Sequence, residues 1–253
     1  RFSQEEAHFD SNQYTVMSYT TTDDMWYGYG ETSGWAVSST PMLVDVEALQ
    51  YLYGKNETTN AGDTTYNQFD PNMPFAEAIW DAGGTDFLDF SAFTTDTVIN
   101  LNPGTSSTIP VTYDGSIWKL DDNLGIAVGA DIENVATGIG DDQITGNILD
   151  NMIAGGAGAD TITTGDGSDT VVIRAGDGGS TVADADKITD FTDGSDMLGL
   201  DDGLLFSNLT IAQGTGGNAS DTVISAGAEY LAVLDGITAA DLDESDFVVV
   251  DIV

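Results

Sequence analysis

Carboxylates, glycines and aliphatics recur in this chain at a fixed interval of nine residues, a spacing suited to holding cations. From Thr137 the sequence reads TGIGDDQIT, GNILDNMIA, GGAGADTIT and TGDGSDTVV. Gly138, Asn147, Gly156 and Gly165 form one column of the repeat. Asp142, Asn151, Asp160 and Asp169 form a second, and Ile144, Ile153, Ile162 and Val171 a third. A nonapeptide of the form GGxGxDxUx, with U a bulky aliphatic, is the mark of a calcium-binding parallel β-roll. Glycine permits positive φ and a tight turn whose carbonyls face an ion. Aspartate supplies the hard anionic oxygen that calcium prefers. The last three residues suit a very short strand whose central aliphatic turns toward a narrow core.

If two nonapeptides make one coil, Asp142 stacks over Asp160 and Asn151 over Asp169. Stacked neighbours lie roughly 4.8 Å apart, so two carboxylates there repel by about 3 kcal/mol at an effective dielectric of about 20. A cation between the coils turns that repulsion into attraction. A flexible Gly/Asp-rich loop would have no reason to keep an aliphatic every ninth residue.

Composition bounds the partners. The 253 residues suffice for one large or two ordinary domains. Against 43 acidic residues stand five basic ones, a formal net charge of −38. That balance excludes nucleic acid and anionic membrane surfaces as partners. A hydrophobic share of 41%, with four Trp and nine Tyr, argues for a packed core rather than disorder, and bound calcium reconciles the two. The absence of cysteine removes disulfides and thiolate metal sites. No apolar run of about 18 residues is present to span a membrane. The N-terminal end shows no basic segment followed by an apolar one, the mark of a general secretory signal.

The elements that must carry the repeat follow a change in composition near residue 59. Residues 1–58 hold no nonapeptide and one expected helix, with Thr40 as N-cap, Pro41 at the first helical position and Gly54 just past the end. Leu43, Val46, Leu49, Leu52 and Tyr53 lie along its apolar side. An apolar turn at Val16 and Met17 and an aromatic loop with Trp26, Tyr27, Tyr29 and Trp35 precede it. From about Asn60 onward, Gly, Asp, Thr and Asn dominate and short β-type runs take over. DAGGTDFLD places Asp86 and Leu88 in the Asp and aliphatic columns of a further repeat. After Val171 come KITDF, DMLGL, DTVISA, EYLAVL and DFVVV. The expected fold is mainly β: a calcium-bound parallel β-roll with flanking antiparallel β-sandwich, preceded by a small helical and loop segment.

Several segments resemble one family in their order along nearly the whole chain, the serralysin-type secreted zinc metalloproteases with a C-terminal RTX calcium β-roll. QYTVMSY at 13–19 is similar to the family's Met-turn, and PMLVDVEALQYLYG at 41–54 to the helix closing its catalytic domain. NAGDTTY at 60–66 and IWDAGG at 79–84 resemble its first calcium motif, DIENVATGIGDD at 131–142 the start of the roll, and DKITDFTDGSDML at 186–198 its exit. DESDFVVVDIV at the C-terminal end resembles a type I secretion signal. The resemblance implies that 1–58 is the C-terminal lobe of a metzincin catalytic domain and 59–253 the roll with its export signal. It implies secretion to the extracellular space through the type I machinery, with protein substrates for the intact parent enzyme.

The departure from the family concerns zinc. Its catalytic metal sits on three histidines of an HExxHxxGxxH helix whose Glu is the general base. This chain has one histidine, His8, and no HExxH. Tyr19 matches the tyrosine placed near zinc and Met17 the apolar floor beneath it, but Tyr19 is catalytic only if the zinc helix is supplied, by the intact parent or a separate N-terminal protease chain. The chain alone is expected to be inactive, with zinc belonging to the parent.

The calcium ligands lie inside the chain. The resemblance implies that Asn60, Gly62 and Thr64 pair with Asp81, Gly83, Gly84 and Asp86. Asp131 and Glu133 would share an ion with Gly138, Gly140 and Asp142, and that turn would face Gly155, Ala157 and Asp160. Asn147, Asn151, Gly156, Gly158, Thr164, Gly165, Asp166, Gly167 and Asp169 continue the set, and Asp186 closes the last site. One edge is defective, since Leu149 and Asn151 stand where Gly and Asp are expected. The competing reading is a non-catalytic calcium module of a surface or adhesive protein, which would suit the Thr-rich stretches but leaves the Met-turn and closing helix without purpose.

Overall fold

The computed structural model describes residues 26–27, 34–35 and 38–252. His8, Met17 and Tyr19, and with them the expected Met-turn at 13–19, lie outside these residues. The chain divides into two compact units: residues up to Phe87 with Val98–Ile132, and Leu88–Thr97 with Glu133 onward.

In the first unit, β1 (Trp26–Tyr27) and β2 (Gly34–Trp35) pair antiparallel. The helix α1 (Leu43–Tyr53) ends at Gly54, whose φ of 85° and N–H donation to the Gln50 carbonyl at 2.9 Å close it as the sequence indicates. Its start differs from expectation. Met42, not Thr40, is the N-cap, and Pro41 precedes it rather than opening the helix. The Thr40 hydroxyl oxygen is committed elsewhere, accepting the Ala78 N–H at 2.8 Å, while the Asp45 carboxylate accepts the Met42 N–H at 2.9 Å. The apolar side also differs. Leu43 packs against Gly125, but Leu49, Leu52 and Tyr53 are exposed, and no residue of the helix is buried. The helix meets its unit through its first turn and through Gln50, whose amide donates to the Val128 carbonyl.

Short strands complete this unit: β3 (Thr65–Tyr66), β4 (Glu77–Ile79), β5 (Phe87–Asp89, running on into the second unit), β6 (Val98–Asn100), β7 (Ser106–Ser107), β8 (Val111–Tyr113), β9 (Ser116–Trp118) and β10 (Leu124–Ile126). β10 lies between β4, parallel, and β7, antiparallel. The β8–β9 hairpin turns at Asp114 and Gly115, both with positive φ, as a two-residue loop matched to strand twist requires. Leu101, Ile109, Leu124 and Ile126 are buried in its core.

The second unit is a parallel β-roll. Its strands are β11 (Asn134–Ala136), β12 (Gln143–Thr145), β13 (Met152–Ala154), β14 (Thr161–Thr163), β15 (Thr170–Ile173), β16 (Asp186–Ile188), β17 (Met197–Leu200), β18 (Leu209–Gln213), β19 (Thr222–Ala226), β20 (Glu229–Leu234) and β21 (Phe247–Val249). From β11 to β17 odd and even strands alternate between two sheets, β18, β19 and β20 all join the second, and β21 returns to the first, giving the orders β21-β17-β15-β13-β11 and β18-β19-β20-β16-β14-β12. The register is the eighteen-residue coil: Asn134 faces Met152, Met152 faces Thr170, and Gln143 faces Thr161, all parallel. Strands of three or four residues bury Ile144, Ile153, Ile162 and Val171 between the sheets.

Beyond Ile173 the coils lengthen, so that Thr161 faces Lys187 and Thr170 faces Met197, still parallel. Antiparallel pairing in this unit runs through β18, β19 and β20, which continue one sheet in its own plane. The late strands extend the roll because their aliphatics, among them Ile188 and Leu198, fall on the same inner line and are fully buried. Among the described residues, no helix is long and apolar enough to cross a membrane.

Candidate calcium centres in the stacked turns

The turns between strands stack in two rows, one on each edge of the roll, and a ladder of carboxylates ties each row together. In one row the Asp142 Oδ1 accepts the Thr97 N–H at 2.6 Å, the Asp160 Oδ1 accepts the Asp142 N–H at 2.8 Å, and the Asp186 Oδ1 accepts the Asp160 N–H at 3.1 Å. In the other row Asp169 accepts from Asn151 at 2.8 Å and Asp196 from Asp169 at 3.1 Å. Each Asp therefore reaches back to the main chain of the preceding coil. Glycine is required where the turns touch. Gly158 has a φ of 143°, and a Cβ there would run into the Gly140 carbonyl oxygen.

The second oxygen of these carboxylates has a different fate. Asp142, Asp160 and Asp169 are each about 1% exposed, and the Oδ2 of each is buried without a hydrogen bond. The Thr137 hydroxyl, which sits in the same turn as Asp142, is committed to the Gly155 carbonyl at 2.6 Å. An anionic oxygen left in this state is costly, because its hydration is lost and nothing replaces it. These carboxyl groups hold a proton more tightly than exposed ones do. Burial, the largest cause, raises Asp142, Asp160, Asp169 and Asp186 above the ordinary carboxylate range; the approach of Asp186 raises Asp160 further, whereas the hydrogen bonds from Asp160 hold Asp186 back.

A divalent cation would satisfy these oxygens, which no hydrogen bond reaches. Among the described residues, no three carboxylate or imidazole groups converge on one point. The side-chain donor that each of these turns offers is one aspartate carboxylate, a hard oxygen that suits calcium and not the nitrogen and sulfur preference of zinc. In the first unit, the Asp86 Oδ1 accepts the Thr64 N–H at 2.8 Å, and Gly84 abuts the Gly62 main chain. Asp81 is fully buried. Its Oδ1 accepts the Gly83 N–H at 2.8 Å and its Oδ2 accepts the Tyr66 hydroxyl proton at 2.7 Å. The Asn60 amide donates to Tyr66, and Asn60 itself has a φ of 52°.

The other expected ligands are placed as follows. Gly155, Gly156 and Ala157 lie in the turn beside Gly138 and Gly140, with the Ala157 N–H on the Gly138 carbonyl at 2.8 Å. Gly165 and Gly167 abut Asn147 and Leu149, Thr164 is buried, and Asp166 is exposed. Asp131 is exposed and belongs to the first unit. Glu133 immediately precedes β11, whose partner is β13, so its carbonyl meets the Asn151 amide rather than the Gly138–Asp142 turn.

The structure also adds rungs. Thr97 stands beneath Asp142 in place of an Asp, with both its N–H and its hydroxyl on Asp142 Oδ1. Asp196 continues the other row, and Asp190 accepts the N–H groups of Thr164 and Gly165. Asp196 and Leu198 repeat the two-residue Asp-to-aliphatic spacing of Asp169 and Val171, a signal legible in the sequence. An outer ladder runs beside the inner one, Asp96 accepting from Asp141 and Asp141 from Ala159.

Comparison with known proteins agrees with this architecture. The model of the Peptidase M10 serralysin C terminal family matches residues 44–250. Metallopeptidase AprA of Pseudomonas marginalis is 37% identical over 236 residues, 85% of this chain and 48% of that protein. Serralysin of Proteus mirabilis is 37% identical over 142 residues, 52% of this chain and 26% of that protein. Serralysin B of Dickeya chrysanthemi is 38% identical over 143 residues, 52% of this chain and 27% of that protein. The chain thus spans about half the length of the first relative and about a quarter of the other two.

Proposed function

The chain belongs to the serralysin C-terminal family of M10 peptidases, and from that premise we propose that it is the calcium-binding, export-competent part of a secreted zinc metallopeptidase. The observation that carries this reading is the set of buried, unbonded Oδ2 atoms of Asp142, Asp160 and Asp169. On this reading residues 1–58 are the closing lobe of a catalytic domain and residues 59–253 the roll. Asp142, Asp160 and Asp169, with the carbonyls of their turns, would hold calcium between coils, and Asp81 and Asp86 with the Gly62–Thr64 turn would hold it in the first unit. Calcium supplies the positive charge that lets these carboxylates ionise where they are buried.

The chain's own residues then do the following. The Oδ1 ladder fixes each turn over its predecessor, the glycines admit the close approach, and the aliphatic column excludes water from between the sheets. Extracellular calcium sites have dissociation constants of about 10⁻⁴–10⁻³ M, so the roll would remain unfolded in the calcium-poor cytosol, pass through the type I machinery, and fold outside. Folding coupled to a ligand present on one side only favours movement toward that side. Zinc and proteolysis would belong to the parent enzyme, whose histidine helix this chain does not contain.

Metal analysis tests the proposal. The purified chain, stripped with chelator and dialysed against millimolar calcium and micromolar zinc, is expected to retain several calcium ions and no stoichiometric zinc, and to leave casein intact. A chain that retains no calcium contradicts the calcium assignment. Zinc-dependent hydrolysis of casein contradicts the assignment of catalysis to the parent.

A further inference from the structure

We infer that the turn Gly146–Asn151 is a calcium-free rung, closed by the amide of Asn151 in the place where its neighbours need a cation. The inference rests on the calcium reading of the roll and concerns which turns take the ion. Asn151 occupies the column of Asp142, Asp160 and Asp169 and is 2% exposed, as deeply buried as they are. It also takes part in the same ladder, its N–H donating to Asp169 Oδ1 at 2.8 Å. The difference lies at the end of the side chain. Where each Asp leaves Oδ2 unbonded, Asn151 leaves no polar atom unbonded.

The network is closed in both directions. Asn151 Oδ1 accepts the Asn147 N–H at 2.8 Å, which fixes the amide orientation, since an amide nitrogen cannot accept that proton. The two hydrogens of Nδ2 then go to the Glu133 carbonyl at 2.9 Å and to Asn147 Oδ1 at 3.0 Å. Asn147 Oδ1 also accepts the Leu149 N–H at 2.9 Å. A carbonyl of the preceding coil and a side-chain oxygen of the same turn are the kinds of atom that would face an ion here. Both are instead occupied by N–H groups of a neutral amide. A calcium ion would have to displace that amide, and the turn itself offers no carboxylate in the aspartate column to compensate its charge.

The two asparagines therefore act together. Asn147 stands in the column of Gly138, Gly156 and Gly165, and Asn151 in the column of the aspartates. The apparently defective repeat is a self-satisfied one. It lets this part of the row stack without ligand while the turns on the opposite edge, at Asp142 and Asp160, remain dependent on calcium.

Calcium stoichiometry by isothermal titration calorimetry on the full chain, with folding followed by circular dichroism, tests this. Asn151→Asp restores an Oδ2 with no donor and is expected to bind one more calcium ion per chain than the wild type. Asn151→Ala is expected to bind the same number as the wild type. An Asn151→Asp protein with native circular dichroism and no added site overturns the inference, as does loss of one ion from Asn151→Ala, which would make the amide oxygen a ligand. If Asn151→Asp does not fold at saturating calcium, the count for Asn151→Ala decides alone. A wild type that binds no calcium removes the calcium reading and this inference together, whereas a wild type that binds and an Asn151→Asp that adds nothing removes the inference only.

Discussion

Asp160 links three successive coils of one row. Its Oδ1 holds the Asp142 main chain, its Oδ2 is unbonded, and its own N–H is held by Asp186. Asp160→Ala removes a rung from the middle of one row and is expected to raise the calcium midpoint of folding several-fold. Asp251→Ala, at an exposed carboxylate past the last strand, is expected to leave the midpoint unchanged. Equal midpoints by circular dichroism would contradict the assignment of Asp160. Column membership was legible in the sequence because identical spacing imposes identical environment. Thr97 was not, since it carries no carboxylate and enters the row only as donor to Asp142. The difference between Asp and Asn in one column was legible as a substitution, but its meaning needed the partners of the amide, which sequence does not contain.

At the scale of elements, the aliphatic column does what the nonapeptide implies. Ile144, Ile153, Ile162 and Val171 are all within 1% of complete burial. Ile162→Ala leaves a cavity between sheets too regular to collapse and is expected to cost about 2–5 kcal/mol, read as a lower urea midpoint in saturating calcium. Val249→Ala, at a side chain 68% exposed, is expected to cost less than about 0.5 kcal/mol. The eighteen-residue register was legible in 134–173 because the coils there have no insertions. Past Ile173 the coils lengthen, the period breaks, and the later strands read as a separate antiparallel layer although most of them rejoin the roll in parallel. The helix shows the complementary limit. Gly54 marked its end through a local backbone need, but the start depended on what Thr40 bonds, and Ala78 lies 38 residues away.

Across the whole chain, a net charge of −38 and a ladder of buried carboxylates oppose folding unless cations or protons offset them. Asp142, Asp160, Asp169 and Asp186 all have folded values raised by burial. In metal-free protein their protons stabilise the fold. That stabilisation is complete below the ordinary carboxylate value of about 4 and is lost as pH rises through the raised values. The chelated chain is therefore expected to gain β structure on acidification from about pH 8 to about pH 5, by circular dichroism, and Asp160→Asn to weaken that dependence. Calcium affinity should run the other way, rising with pH, because the ligands must shed those protons. A chelated protein whose β content rises with pH would contradict both statements.

Whether calcium drives folding is read from a calcium titration followed by circular dichroism at neutral pH and low ionic strength. Neighbouring turns are joined by the same carboxylates, so order at one rung prepares the next and the transition should be cooperative. In excess chelator the chain is expected to show little β structure, and to gain it steeply at about millimolar calcium. Magnesium should substitute poorly, because its smaller shell demands octahedral geometry and holds its waters, and monovalent salt should screen charge without producing the transition. Full β structure surviving exhaustive chelation at low salt would contradict the account, and would place the stability of the roll in its aliphatic core instead.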